Sequence, residues 1–155
     1  MTLDDEAEPS APEVLRELLE TLVGAFALEA EIVVAEGEGV LRGTIKGDDV
    51  EALVGAGGSV LDAIQHLAQR IVLRGGGGLR VLVDAGGYRD RREAELRAEA
   101  DSAADEAVAE RREVSLPPMP AAERRYVHEH LRERGDVETH SEGEEPRRHL
   151  IVAPL

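Results

Sequence analysis

The chain has 155 residues, no cysteine, 2% aromatic residues and a formal net charge of −15. The missing thiols exclude disulfides, thiolate zinc sites and cysteine nucleophiles, and the scarcity of rings argues against a binder that stacks bases on aromatic platforms. Hydrophobic residues make up 42%, enough for a core of Leu, Val, Ile and Ala in one ordinary domain or two small ones.

The charge is uneven. Residues 1–46 hold 11 acids against 3 bases, and the arginine clusters come later. Net charge sets the far field, whereas a site works by its local field. All the basic residues except Lys46 are Arg, the better bidentate phosphate ligand.

The opening "MTLDDEAEPSAPEV" has no apolar run and is not a secretory leader. No segment approaches the roughly 20 apolar residues of a membrane span, so a cytoplasmic protein without direct membrane insertion is expected. Residues 1–11 read as an acidic disordered tail. From Glu13 a helix is expected, because Val14, Leu15, Leu18, Leu19, Leu22 and Val23 recur at three- and four-residue spacing. "AEIVVAE" and "VLRGTIK" read as two strands joined by a turn around Gly37 and Gly39. "DDVEALV" reads as a short helix with Asp48 as N-cap.

A glycine-rich turn follows, and then a second amphipathic helix with Val60, Ile64, Leu67 and Ile71 on one stripe. It stops before "RGGGG", and "LRVLVDA" reads as a third strand. Residues 13–85 therefore read α-β-β-α-α-β, an α+β unit with a three-stranded sheet and helices on one face.

Gly86-Gly87 marks a boundary. A long charged helix is expected from about Tyr88 to Glu113, with Ala, Leu96 and Val108 as its thin apolar side. "REVSLPPMP" is extended, "AAERRYVHEHLRER" is a helix ended by Gly135, and "DVETHSEGEEPRRHLIVAP" reads strand, turn, strand with the turn near Gly143. No internal repeat is present.

Two constellations carry chemistry. Gly55-Ala56-Gly57-Gly58 is a G-x-x-G turn ahead of a helix. Without a Cβ in the way a sugar–phosphate backbone approaches closely, and the first amides of the helix point at phosphate; the alternative is a tight helix–helix turn. Arg124 and His128 lie four apart on one helical face beside the apolar stripe of Val127 and Leu131. They suit a cationic pair that holds phosphate or sugar, or a core-edge pair bonded to the protein's own groups, with Glu123 or Glu145 as partners.

Other sets are weaker. His128, His130 and His140 lack metal-site spacing, Ser141 beside His140 lacks a nucleophile elbow, and Glu142, Glu144 and Glu145 lack a calcium-loop pattern. No metal, no cofactor and no catalytic residue is expected. Tyr88, Arg89, Arg91 and Arg92 read equally as a phosphate patch or as a solvated helix start with pairs such as Arg91–Glu95.

"LVGAGGSVLDAIQHL" resembles the loop and following helix of a type II KH domain of the Jag family, also called KhpB or SpoIIIJ-associated RNA-binding proteins. "VDAGGYRDRREAEL" resembles that family's lead-in to a second domain. "VSLPPMPAAERRYVHEHL" with "VETHSEGEEPRRHLIV" resembles the domain named for an Arg-x-x-x-His motif. The resemblance covers about residues 13–153. It departs at the two middle loop positions, typically basic in the family and here Ala56 and Gly57, with Arg70, Arg74, Arg80 and Lys46 as the cations that could partly compensate. The small amino-terminal domain and linker of many Jag proteins have no counterpart in these residues.

The resemblance implies a KH domain over residues 12–86 and an Arg-x-x-x-His domain over 87–155. It implies non-catalytic binding of single-stranded RNA (or DNA), with Gly55, Ala56, Gly57 and Gly58 as one site. Arg124 and His128, with Arg125 and flanking Arg147 and Arg148, form the other. A second small KH protein as partner, and a post-transcriptional or RNA-chaperone role linked to elongation or division, belong to the same expectation. The rival from another class is a protein–protein adaptor with a weakened nucleic-acid surface, which the acidity favours. A host whose proteins are generally acidic is a third source of the charge.

Overall fold

A computed structural model describes residues 8–155. The expected disordered tail lies mostly outside them; within them the first helix already starts at Ala11. The chain is α+β and divides into two compact units, one ending at Arg89 and the other running from Asp90 to Leu155.

In the first unit helix α1 (Ala11–Ala25) precedes an antiparallel hairpin of β1 (Glu31–Gly37) and β2 (Val40–Lys46). α1 starts two residues before the expected Glu13 because Ser10 caps it: its backbone N–H and hydroxyl both donate to the Glu13 carboxylate at 2.8 Å. Pro12 sits in the first turn, where no N–H is needed. The expected short helix over "DDVEALV" is a 3-10 turn, Val50–Leu53, and its cap position is Asp49, not Asp48. The five residues between Asp49 and Gly55 are too few to offset the cost of nucleating an α-helix. The loop turn Ala56–Gly58 leads into α2 (Ser59–Val72), and β3 (Arg80–Ala85) joins the sheet parallel to β2 in the order β1-β2-β3.

Leu41 and Ile45 of β2 and Val81, Val83 and Ala85 of β3 alternate onto one face. There they meet Leu15, Leu19 and Val23 of α1 and Leu61, Ile64 and Ala68 of α2 in one core. Both helices cover that face, as the alternation predicts.

In the second unit α3 (Tyr88–Glu110, whose first two residues belong to the first unit) presents Leu96, Ala100, Ala103, Ala104 and Ala107 to a core with Leu116, Met119, Val127, Leu131 and Val152. Val108, expected on the apolar side, is 40% exposed; the small alanines let the neighbouring elements come close instead. β4 (Val114–Ser115), α4 (Ala121–Arg132), β5 (Val137–Glu142) and β6 (His149–Pro154) complete the unit, with an antiparallel sheet in the order β4-β6-β5. Arg92 of α3 grips Glu123 of α4 at 2.9 and 3.0 Å, and His130 of α4 meets Asp101 of α3 at 2.9 Å. The bidentate Glu123 contact holds the Arg92 guanidinium above the ordinary arginine range.

Candidate nucleic-acid interface

The Gly loop of the first unit is held by packing at its two ends and open in the middle. A Cβ on Gly55 would lie 2.4 Å from Val60 Cγ2, and one on Gly58 would lie 2.8 Å from Tyr88 Cε1. Both have positive φ, +73° and +82°, so glycine is required at each by backbone and by space. A Cβ on Gly57 would meet nothing within 4 Å, and Ala56 is exposed. The loop's middle is thus open, with Ala56 exposed and space around Gly57.

The amides differ from expectation. The N–H groups of Val60 and Leu61 both donate to the Val54 carbonyl, at 3.0 and 3.1 Å, Gly58 donates to Gly55 and Ser59 to Ala56. The turn satisfies its own helix start, as a buried helix end must. The N–H groups of Ala56 and Gly57 remain outside these bonds and are the donors left to a phosphate. Asp62 adds a carboxylate in the first turn of α2, faced by Arg89 at 3.4 Å. Arg89 also donates from Nε to the Val83 carbonyl at 2.9 Å, and its N–H reaches Asp84 at 3.2 Å. Tyr88 and Arg89 are therefore braces of the loop and of α2, a role neither reading of that stretch anticipated. Arg92, placed with them in sequence, serves the second unit's core edge.

In the second unit a cavity of about 420 Å³ is lined by Ala121, Arg124, Arg125, His128, Thr139, His140, Ser141, Arg148 and Leu150. α4 supplies Arg124, Arg125 and His128 from successive positions of one side; β5 supplies Thr139, His140 and Ser141. Arg124, Arg125, His128 and Arg148 thus line one cavity. Arg147 does not line the cavity; it is exposed in the β5–β6 connection, where its N–H donates to the Glu144 carbonyl at 2.8 Å.

Arg124 answers to the core-edge reading. It is only 8% exposed and donates from Nη1 to the Met119 carbonyl and from Nη2 to Glu145, both at 2.6 Å. Of the two partners considered, Glu145 is the one used. The remaining arginines and histidines of the cavity also have partners within the protein. Arg125, its side chain 82% exposed, pairs with Glu129 at 2.9 Å, which holds that carboxyl below the ordinary glutamate range. His128 Nδ1 hydrogen-bonds the Thr139 hydroxyl, His140 meets Glu142 at 3.1 Å, and Arg148 donates to the Gly143 carbonyl at 3.1 Å. The three histidines of α4 and β5 thus serve three separate partners.

Thr139, His140 and Ser141 were missed as cavity residues. The signal was present in strand alternation: with Val137 buried, Thr139 and Ser141 fall on the same side two and four residues on. What α4 places opposite that side is set by the tertiary fold.

Comparison with known proteins adds the family. Residues 94–154 match the R-3-H domain family, the domain of the Arg-x-x-x-His motif. The chain is 36% identical to RNA-binding protein KhpB of Clostridium symbiosum over 140 residues, 88% of this chain and 63% of that protein. It is 32% identical to RNA-binding protein KhpB of Bacillus subtilis (strain 168) over 138 residues, 87% of this chain and 66% of that protein. A third KhpB, from Lactiplantibacillus plantarum, is 39% identical over 102 residues, 65% of this chain and 32% of that protein. The chain spans just under two thirds of the length of the first two relatives. With its Arg124–His128 helix inside the matched segment, the chain is a homologue of the KhpB (Jag-family) proteins, over most of its own length, and carries an Arg-x-x-x-His domain.

Proposed function

We propose that this chain is a non-catalytic binder of single-stranded RNA that grips the sugar–phosphate backbone at two places. The observation that carries the reading is the second unit's cavity: in a chain of net charge −15, Arg124, Arg125, His128, His140 and Arg148 surround one concavity with two hydroxyls among them. Such a set suits phosphate and sugar contacts, which position a strand without reading its sequence. The relatives named as RNA-binding proteins and the match to the Arg-x-x-x-His domain family support it.

In this reading the first unit is a KH domain whose Gly55–Gly58 loop accepts backbone through the amides of Ala56 and Gly57. Arg125, His128 and Arg148 touch phosphate, Arg124 is the post that holds the cavity wall, and Arg147 is an outer contact. Two weak sites in tandem gain effective concentration. Single-stranded DNA as a further ligand, a second small KH protein as partner, a cytoplasmic location, and a post-transcriptional or RNA-chaperone role linked to elongation or division belong to the same proposal, on family resemblance.

Fluorescence anisotropy with a short single-stranded RNA at low and physiological salt tests it. Affinity falls steeply with salt. Ala56→Asp with Gly57→Asp, and separately His128→Ala with Arg148→Ala, each weaken binding about tenfold, roughly 1.4 kcal/mol. These sites avoid Gly58 and Arg124, whose replacement disturbs packing.

A protein–protein adaptor is the second reading. What favours it is that each arginine and histidine around the cavity already has a protein partner and that the loop carries no basic residue. Absence of RNA binding even at low salt would transfer the lead to it.

A further inference from the structure

The sheet of the first unit has two edges, and the chain treats them differently. Along β3 the outward backbone groups are occupied by two side-chain amides from α2. The N–H of Val83 donates to Gln65 Oε1 at 2.7 Å and that of Val81 to Gln69 Oε1 at 2.9 Å. The same two carboxamides donate back to the carbonyls of Val81 and Leu79. Each carboxamide stands where a peptide group of a neighbouring strand would stand, so this edge is sealed.

β1 is the other edge, seven residues long. Its hairpin closes on the pair Gly37–Val40 through a two-residue turn, so ladder bonds fall on the odd-numbered residues. The N–H and C=O groups of Ile32, Val34 and Glu36 therefore point away from β2. The Arg16 guanidinium donates to the Ile32 carbonyl at 3.1 Å, which agrees with that direction. Among the described residues no hydrogen bond takes up the N–H groups of Ile32, Val34 and Glu36 or the carbonyls of Val34 and Glu36.

The edge has a sharp chemical character. Ile32, Val33 and Val34 form a β-branched centre suited to extended pairing. Glu29, Glu31, Glu36 and Glu38 lie exposed at its two ends. Glu31 faces Lys46 across the ladder, whereas Glu29, Glu36 and Glu38 have no ion pair among the described residues. Carboxylates at both ends repel a phosphate backbone and a second copy of the same edge, and they attract a cationic strand.

We propose that β1 is a strand-addition site for an extended, lysine- or arginine-bearing segment of a partner protein. Backbone hydrogen bonds at Ile32, Val34 and Glu36 supply the pairing, and the end carboxylates select the charge. This inference is independent of the RNA-binding reading.

The test uses the full chain and a synthetic peptide of β1's length that alternates lysine and valine. Binding is followed by anisotropy and by amide hydrogen exchange. The amides of Ile32, Val34 and Glu36 slow about tenfold or more when peptide is added. The peptide N-methylated at alternate amides fails to bind. Val34→Pro loses the peptide while keeping the β1–β2 ladder, since that N–H is not in it, and Glu36→Gln with Glu38→Gln weakens it. Equal binding of the N-methylated peptide overturns the proposal, because attraction is then by charge alone. So does protection of these amides without peptide in a sedimenting dimer, which makes a second copy the occupant. The N-methylated peptide is tested on the native chain, so a misfolded Val34→Pro variant leaves the test standing.

Discussion

The candidate sites of the two units are built by opposite means. The first uses backbone: a glycine loop with two amides left over, no cation at its middle positions and Asp62 in the helix turn behind it. The second uses side chains: three arginines and two histidines around one cavity, each already held by a carboxylate, carbonyl or hydroxyl of the protein. In a strongly acidic chain, arginines gathered without partners would attract the chain's own acids, so the cavity is built with internal partners, which under the proposed reading a phosphate must replace. A backbone site needs no such neutralisation but supplies little charge. The difference teaches that steric requirement dominates the first site and charge balance the second.

Substitutions sharpen or break that contrast. The largest effect is expected at the loop's packed end. Gly55→Ala places a methyl group against Val60 at a positive φ and costs about 3 kcal/mol, read as a shift of the urea midpoint. Gly57→Ala, with open space around it, costs about 1 kcal/mol. Equal losses would remove the steric account of the first site.

Next is Arg124→Ala. It strips the Met119 carbonyl and Glu145 of their donor, and a loss of about 2 kcal/mol is expected, with weaker RNA binding as a consequence. Arg125→Ala, at an exposed position, leaves stability within about 0.5 kcal/mol. If Arg124→Ala leaves the denaturation curve unchanged, Arg124 is a free ligand and not a post.

Ala56→Lys tests the missing charge directly. It restores a cation at an exposed loop position without touching the packed glycines. RNA affinity should rise roughly fivefold at low salt, about 1 kcal/mol, and the gain should shrink as salt is added. No gain would mean that the loop's amides do not face the strand.

The smallest effect is the acid limb. Hydrogen bonds from Arg134 hold the Asp136 carboxyl below its ordinary value of 3.8, and the Ser10 backbone and hydroxyl hold Glu13 below 4.5. A depressed carboxyl contributes stability above its unfolded value and loses it as pH falls through the folded one. The loss therefore sets in below about pH 4.5 and deepens below 3.8, and it is small because both groups are at the surface. Asp136→Asn should flatten the second unit's acid limb and leave that of α1 intact, followed by circular dichroism against pH.

Much of this was legible in the residues. The runs "AEIVVAE", "VLRGTIK" and "LRVLVDA" placed the strands, and the three- and four-residue spacing of Leu15, Leu19 and Val23 placed α1. The G-x-x-G turn and the Arg124–His128 spacing marked both candidate sites. Local pattern determines these because periodicity and glycine are read within a few residues of chain. Three matters lay beyond it. The short helix before the loop became a 3-10 turn, the first amides of α2, those of Val60 and Leu61, went to Val54 instead of outward, and Arg124 turned to Met119 and Glu145.

Each of those outcomes depends on groups distant in sequence or on the balance between competing partners. Arg124 and Glu145 are 21 residues apart, and Gln65 reaches the edge of β3 across 16 and 18. The sequence by itself determined the long helices and the main strands, their order along the chain and its acidic, cysteine-free character. Only the tertiary structure decided which acceptor each arginine takes, which glycines are required by space, and which sheet edge is left open. Hydrogen-bond partners are chosen by where the fold brings groups within about 3 Å, and no local periodicity carries that information.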